Sequence, residues 1–363
     1  MSTPTQNLHD LGQSLWVDNI SRTMLESGTL ASYIAEKSVT GLTSNPTIFQ
    51  HAIGHGSTYD EVIARLARRG KSAEELFFLL ALDDLTKAAD LFRPIFDATH
   101  GLDGWVSLEV SPLLADDAAG TIQAAAALHK AANRPNLYIK IPGTPAGIEA
   151  IEESIFAGVP VNVTLLFSPT QYLAAAAAYM RGIERRIAAD LDPNVHSVAS
   201  LFVSRWDVAV NSQLPPPFHN RLGIAIATRT YAAYRELLNS PHWHQLARSG
   251  ARPQRLLWAS TGTKDPAAAD TLYVEFLAAP DTINTIPELT LAAFAEHGKL
   301  IGVLPADGGN AEEVLEAFRG QGVDIDALAT RLQRAGVEAF AASWQALLAR
   351  IRDKCANSSP SAA

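Results

Sequence analysis

The chain is 363 residues long, 47% hydrophobic and 18% charged, with a formal net charge of −9. This is an ordinary globular composition, and its negative balance excludes a general attraction to nucleic acid or anionic membranes, so an anionic ligand would need a local basic cluster. A single cysteine, Cys355, excludes an internal disulfide and any metal-thiolate spacing; no apolar run is long enough to span a bilayer, and the opening residues lack a signal-peptide pattern, so the expected location is the cytoplasm.

Short apolar or β-branched runs alternate with longer stretches of helical period. The first strand begins at Leu15 and ends at Asp18, and a helix follows over 22–35. The second strand starts at Val39 and is stopped by Pro46. A long helix over 74–96 carries Leu76, Leu80 and Leu91 in phase. Residues 105–110 form the third strand, closed by Ser111-Pro112, and 115–132 is an alanine-rich helix. The fourth strand, 137–143, reads Leu-Tyr-Ile-Lys-Ile-Pro-Gly and holds one lysine, Lys140. Pro145 suits the first turn of the next helix. The fifth strand is 161–167, and Ser168-Pro169 starts a helix to about 189. The sixth is 197–203, followed by a triple-proline loop and a helix over 220–238. The seventh is 256–260, then a loop to Lys264 and a helix over 267–278. The eighth is 282–286, with Pro287 opening another helix. The remainder, 311–354, is helical with a loop at 320–324.

Strands alternating with helices predict a parallel sheet with crossover helices, and eight strands suffice to close a (β/α)8 TIM barrel, an α/β fold, here with extra C-terminal helices. The competitor is a doubly wound open sheet, which usually announces a nucleotide with a glycine-rich first turn; none is present. The expected organisation is a tail over 1–12, one barrel with its helical extension over 13–355, and a disordered tail over 356–363.

Polar residues recur at the strand ends. Asp18 ends the first strand, Asn45 the second, Glu109 lies near the end of the third and Lys140 in the fourth. Asn162 and Thr164 share a face of the fifth, Ser200 and Phe202 a face of the sixth, with Arg205 after it. Ser260 ends the seventh, and Lys264 is in its loop. Singly, each has a structural reading: a snorkelling lysine, a turn asparagine, a helix-capping serine. In a barrel they converge at one end. A lysine amine can attack a ketone, two carboxylates can move protons, and Arg205 and Lys264 can hold a phosphate. Carbon–carbon bond chemistry beside a ketone is the economical use of that set.

Other features read as structural. His242 and His244 stand two apart with no third ligand nearby and are read as loop residues rather than a metal site. Arg181, Arg185 and Arg186 read as a solvated helix edge. Trp16 reads as core, and Phe340 and Trp344, four apart on one helix face, either as the apolar side of a C-terminal segment over the barrel mouth or, more simply, as packing against the barrel exterior.

The segments Trp16-Val-Asp-Asn, Gly41-Leu-Thr-Ser-Asn-Pro-Thr-Ile-Phe, Ser107-Leu-Glu-Val, Tyr138-Ile-Lys-Ile-Pro, Val161-Asn-Val-Thr-Leu-Leu-Phe-Ser and Trp258-Ala-Ser-Thr-Gly-Thr-Lys occur in order over about residues 13–348. Together they resemble the transaldolases, in particular a longer bacterial branch. The resemblance implies a (β/α)8 barrel and class I aldolase chemistry without metal or organic cofactor. It implies Lys140 as the Schiff-base lysine and Asp18 as the base for the C4 hydroxyl. Glu109 and Thr164 would position the water that shuttles protons, and Asn45, Asn162 and Ser200 would hold a dihydroxyacetone fragment. Phe202 falls where transaldolases carry phenylalanine and fructose-6-phosphate aldolases tyrosine, which favours transfer over cleavage. Arg205 and Lys264 are the expected phosphate end, and Ser260 is a further substrate-binding candidate. Shorter branches carry an arginine just after the seventh strand, and here Lys264 or the backbone of 261–263 substitutes. The implied partners are sugar phosphates of the pentose phosphate pathway, with no nucleic acid and no membrane; a homo-oligomer stays open. A ketose-phosphate aldolase acting without an acceptor and a non-catalytic binding barrel are the alternatives.

Overall fold

The computed structural model describes residues 2–54 and 56–357. The strands are β1 (Ser14–Val17), β2 (Val39–Leu42), β3 (Val106–Glu109), β4 (Leu137–Pro142), β5 (Val161–Leu166), β6 (Ser197–Phe202), β7 (Arg255–Ala259) and β8 (Ile283–Ile286). They pair in parallel in the order β2-β1-β8-β7-β6-β5-β4-β3. The last seam, β2 to β3, is bridged by Leu42 N donating to Trp105 O at 3.0 Å and Gly104 N to Thr40 O at 2.9 Å. The sheet is therefore a (β/α)8 barrel, as expected. Every strand residue is buried, because side chains alternate between the barrel interior and the helical coat.

Gly41 makes the seam possible. A Cβ there would lie 2.6 Å from Trp16 Nε1 and 2.7 Å from Trp105 O, so no other residue fits without moving the barrel wall. Trp16 on β1 and Tyr138 on β4 belong to strands that do not pair, yet their rings are 6.2 Å apart, so both project inward. Trp105 stacks on Tyr138 at 3.9 Å. These rings fill the lower barrel, which leaves the opposite, C-terminal end for polar side chains.

Helix starts follow their sequence signals. The side chains of Thr144, Ser168 and Ser240 accept from Gly147 N, Gln171 N and Trp243 N, each followed by proline, and open the helices Pro145–Phe156, Pro169–Ala188 and Pro241–Arg248. The last of these contains His242 and His244, which were expected in a loop; His242 pairs with Glu184. Arg181 and Arg185 pair with Glu152 and Glu153 on the neighbouring helix.

Three expected boundaries shift. The helix over 22–35 is two, Arg22–Glu26 and Thr29–Glu36, because Gly28 adopts φ +77° between them. The helix over 267–278 shrinks to Leu272–Phe276. Asp265 accepts from Ala267 N at 2.9 Å with its carboxylate and from Ala268 N at 3.1 Å with its carbonyl, which diverts that backbone into a turn. Within the stretch expected as an N-terminal tail, Pro4–Asp10 is helical and buries Thr5 and Leu8. Ala356 and Asn357 end the last helix, and 358–363 lie outside the described residues. Among the described residues, no helix is long and apolar enough to cross a membrane.

The C-terminal helix, Ile325–Asn357, corrects one reading. Its Trp344 packs edge-on against Phe77 at 4.8 Å, in the helical coat, but Phe340 reaches the barrel mouth, 6.5 Å from Phe202. Periodicity put both on one face; it could not show that the helix crosses the end of the barrel, so that one face spans two environments.

Candidate active site

Lys140 sits midway along β4 and is only 6% exposed. Its inward direction follows from strand alternation: Tyr138, two residues earlier, also points in. Nζ donates to the Ser44 carbonyl at 2.6 Å and stands 3.7 Å from Glu109 Oε2. Glu109 is the residue opposite Lys140 in the β3–β4 register, so the pair is built into the sheet.

Beneath the amine lies a polar layer. Asn162 donates to Ser107 Oγ at 3.2 Å and accepts from Ser200 Oγ at 2.7 Å, linking β3, β5 and β6. Asn162 is fully buried, and its amide is oriented by these two bonds. Glu109 Oε2 and Thr164 Oγ1 are buried without a hydrogen-bond partner of good geometry, although the Thr164 hydroxyl is near enough to ease the carboxylate's charge. Burial pushes the Glu109 carboxyl above its ordinary range; Lys140 and Thr164 oppose the rise and Asp18 adds to it.

Asp18 projects from the end of β1 and accepts from Thr43 Oγ1 at 2.9 Å. Burial raises its pKa too, opposed by the charges of Lys140 and Lys264 and by the Thr43 hydroxyl. The two carboxylates and two ammonium groups thus share one field, in which burial outweighs the cations at both acids.

A cavity opens above this centre at the C-terminal ends of the strands. Its lining includes Asp18, Asn45, Lys140, Thr164, Ser200, Phe202, Arg205, Ser260 and Lys264. Glu109 and Asn162 lie just behind the surface. Asn45 also does the structural work considered for it, accepting from Ile48 N at 3.0 Å at the head of helix Pro46–Gly54. Ser260 adopts φ +58° at the exit of β7, 2.9 Å from Ser204 Oγ. The Arg205 guanidinium lies over Phe202 at 5.1 Å and Phe340 at 5.8 Å. Burial lowers its pKa. A second chamber, lined by Asn19, Ser21, Thr47 and His51, adjoins the first through Asn45, Arg205 and Phe340.

Sequence reading missed Thr43, the Ser44 carbonyl and Thr285, which also lines the cavity. Thr43 could have been found: it follows Gly41 by two and so shares its inward face. A backbone carbonyl has no signature.

Fold and site together define a barrel enzyme with a buried lysine and paired carboxylates at its C-terminal mouth. A family profile described as Transaldolase/Fructose-6-phosphate aldolase matches residues 15–351, and the chain belongs to that family. A transaldolase of Thiobacillus denitrificans is 46% identical over 355 residues, covering 96% of this chain and 99% of its own. One of Thermobifida fusca is 44% identical, with 98% of this chain and 99% of the relative covered. Transaldolase 1 of Streptomyces coelicolor is 45% identical, with 95% and 93% covered.

Proposed function

We infer that this chain is a transaldolase, moving a dihydroxyacetone unit from a ketose phosphate to an aldose phosphate through a Schiff base on Lys140. The observation that carries the mechanism is the setting of that lysine: 6% exposed, its amine 3.7 Å from Glu109, on the wall of a cavity that Asp18 also lines.

The steps follow from the groups. Lys140 Nζ attacks the ketone carbon of sedoheptulose 7-phosphate or fructose 6-phosphate. Glu109 and Thr164 relay protons through a water as the carbinolamine loses hydroxide and becomes an iminium; their buried, unpartnered oxygens suit a water between them. Asp18 takes the C4 hydroxyl proton, the C3–C4 bond breaks, and its electrons pass into the iminium to give an enamine. The aldehyde leaves, a second aldehyde enters, and the enamine attacks it while Asp18 returns the proton. Water then hydrolyses the iminium and frees Lys140. Asn45, Asn162 and Ser200 hold the three-carbon fragment. Phe202 offers no hydroxyl to protonate the enamine, which supports transfer over simple cleavage. Arg205 and Lys264 take the phosphate end of either sugar, and Ser260 lines the cavity with them. The setting is the pentose phosphate pathway in the cytoplasm.

Borohydride reduction with fructose 6-phosphate tests the assignment. The expected result is a stable adduct on the Lys140 peptide, absent from Lys140→Met. An adduct on another lysine, or none, overturns the mechanism. Rapid release of free dihydroxyacetone without an acceptor would overturn the preference for transfer.

A further inference from the structure

Arg205 follows β6 in the short helix Ser204–Val210 and makes no ion pair among the described residues. No carboxylate fixes its position, so what borders it does. On one side is the Phe202 ring; on the other is the C-terminal helix. Gln333, Gly336 and Phe340 stand three and four residues apart on one face of that helix.

Each of the three touches the mouth differently. Gln333 Nε2 donates to Gly143 O at 2.9 Å and to Leu165 O at 3.0 Å, carbonyls next to the ends of the Lys140 and Thr164 strands. Leu165 has φ +57°, a conformation that a bulky residue keeps only when its surroundings hold it. Phe340 lies under the guanidinium at 5.8 Å. At Gly336 the helix backbone itself borders the cation: a Cβ there would lie 3.2 Å from Arg205 Nη1 and 2.8 Å from Leu165 Cδ2. Glycine weakens a helix interior relative to alanine, and clearance for both Leu165 and Arg205 supplies a local reason for it.

We propose that Gly336, on a helix anchored by Gln333, is a positioning residue for Arg205, and that through it the C-terminal helix sets the preference for phosphorylated over unphosphorylated sugars. This rests on the reading of Arg205 as a phosphate holder. A methyl group at position 336 presses Leu165 Cδ2 aside and shifts the guanidinium by a few tenths of an ångström, which loosens its charge-assisted bonds to phosphate without touching Lys140.

The test is a double-mutant cycle with Arg205→Ala and Gly336→Ala, reading KM and kcat for fructose 6-phosphate and for unphosphorylated fructose, and the inhibition constant of inorganic phosphate. Gly336→Ala should raise KM for fructose 6-phosphate and the phosphate inhibition constant together, by about five- to tenfold, the size of one weakened charge-assisted hydrogen bond. The KM for fructose and both kcat values should stay within about twofold. In the Arg205→Ala background the same substitution should change nothing. Equal effects in both backgrounds, or a fall in kcat with KM unchanged, would show action through Leu165 and the Thr164 strand and overturn the proposal. Arg205→Ala leaving KM for fructose 6-phosphate untouched would instead sink the reading of Arg205 itself. Should Gly336→Ala fail to fold, Gln333→Leu reads the same constants, and unchanged values there overturn the proposal.

Discussion

Asp207 carries a pH dependence that can be worked out in advance. It is 1% exposed, two residues beyond Arg205. Its carboxylate accepts from Leu222 N at 2.9 Å, from Gly223 N at 3.3 Å and from Tyr273 OH at 2.8 Å, so it ties the Arg205 helix to the start of helix Leu222–Leu238. Burial outweighs these bonds and pushes the carboxyl from 3.8 up to about 6. The folded state therefore binds this proton more tightly than the unfolded chain does. The stability it contributes is complete below the unfolded value and is lost as pH rises through the folded one. At about 1.4 kcal/mol for each pH unit the whole loss is about 3 kcal/mol, and about 2 kcal/mol of it falls between pH 4 and 7, because the unfolded carboxyl is already half ionised at pH 4. Asp207→Asn removes the charge but keeps an acceptor for Leu222 N and a donor for the Tyr273 oxygen. Its urea-unfolding free energy minus that of the parent should therefore rise by about 2 kcal/mol across that window. Comparing the two proteins cancels the other carboxylates. Parallel curves for variant and parent would refute the reasoning; so would a difference that shrinks with pH. Asp207→Ala, by contrast, leaves two backbone N–H groups and a tyrosine hydroxyl without their acceptor, and should cost about 3 kcal/mol or more at every pH.

The remaining predictions concern the site and the seam. Asp18→Asn should still form the borohydride adduct but lose transfer by about 10²-fold or more, the scale of a lost general base; equal loss of both steps would refute its role. A base works only when ionised, and burial raises Asp18, so kcat should fall on the acid side at a pH above the ordinary carboxylate range of about 4. A limb at or below that value would contradict the burial argument. Gly41→Ala drives a methyl group to 2.6 Å from Trp16 Nε1 and 2.7 Å from Trp105 O, across the barrel seam. It should cost about 3 kcal/mol or more in chemical denaturation, at the upper end for overpacking; a loss under about 1 kcal/mol would mean that the wall yields.

The eight strands and the direction of most polar side chains were legible because a barrel strand carries both signals locally. Apolar runs mark its length, and period-two alternation says which residues share a face. Lys140, Asn162 and Ser200 could be grouped for that reason, as could the Ser-Pro and Thr-Pro helix starts. The helix expected over 267–278 failed because the Asp265 turn competes with helix at short range, a contest that periodicity does not weigh. His242 and His244 were misplaced because their helix is a single short amphipathic stretch opened by Ser240.

The sequence by itself determined the chemistry available: one lysine in an apolar strand, carboxylates at the ends of two others, and a phenylalanine at the sixth. Those are properties of residue type and spacing, and they survive in any arrangement that closes eight parallel strands. Only the tertiary structure decided how the amine is held and how the mouth is roofed. The Ser44 carbonyl reaches Lys140 from 96 residues away in sequence, and Gln333 reaches Leu165 from 168 away. The first depends on the closing of the barrel and the second on where the C-terminal helix crosses its end, and no local pattern encodes either. The opposing pulls on Asp18 and Glu109 are likewise decided there, because the depth of burial and the distance to a charge exist only once the barrel is closed.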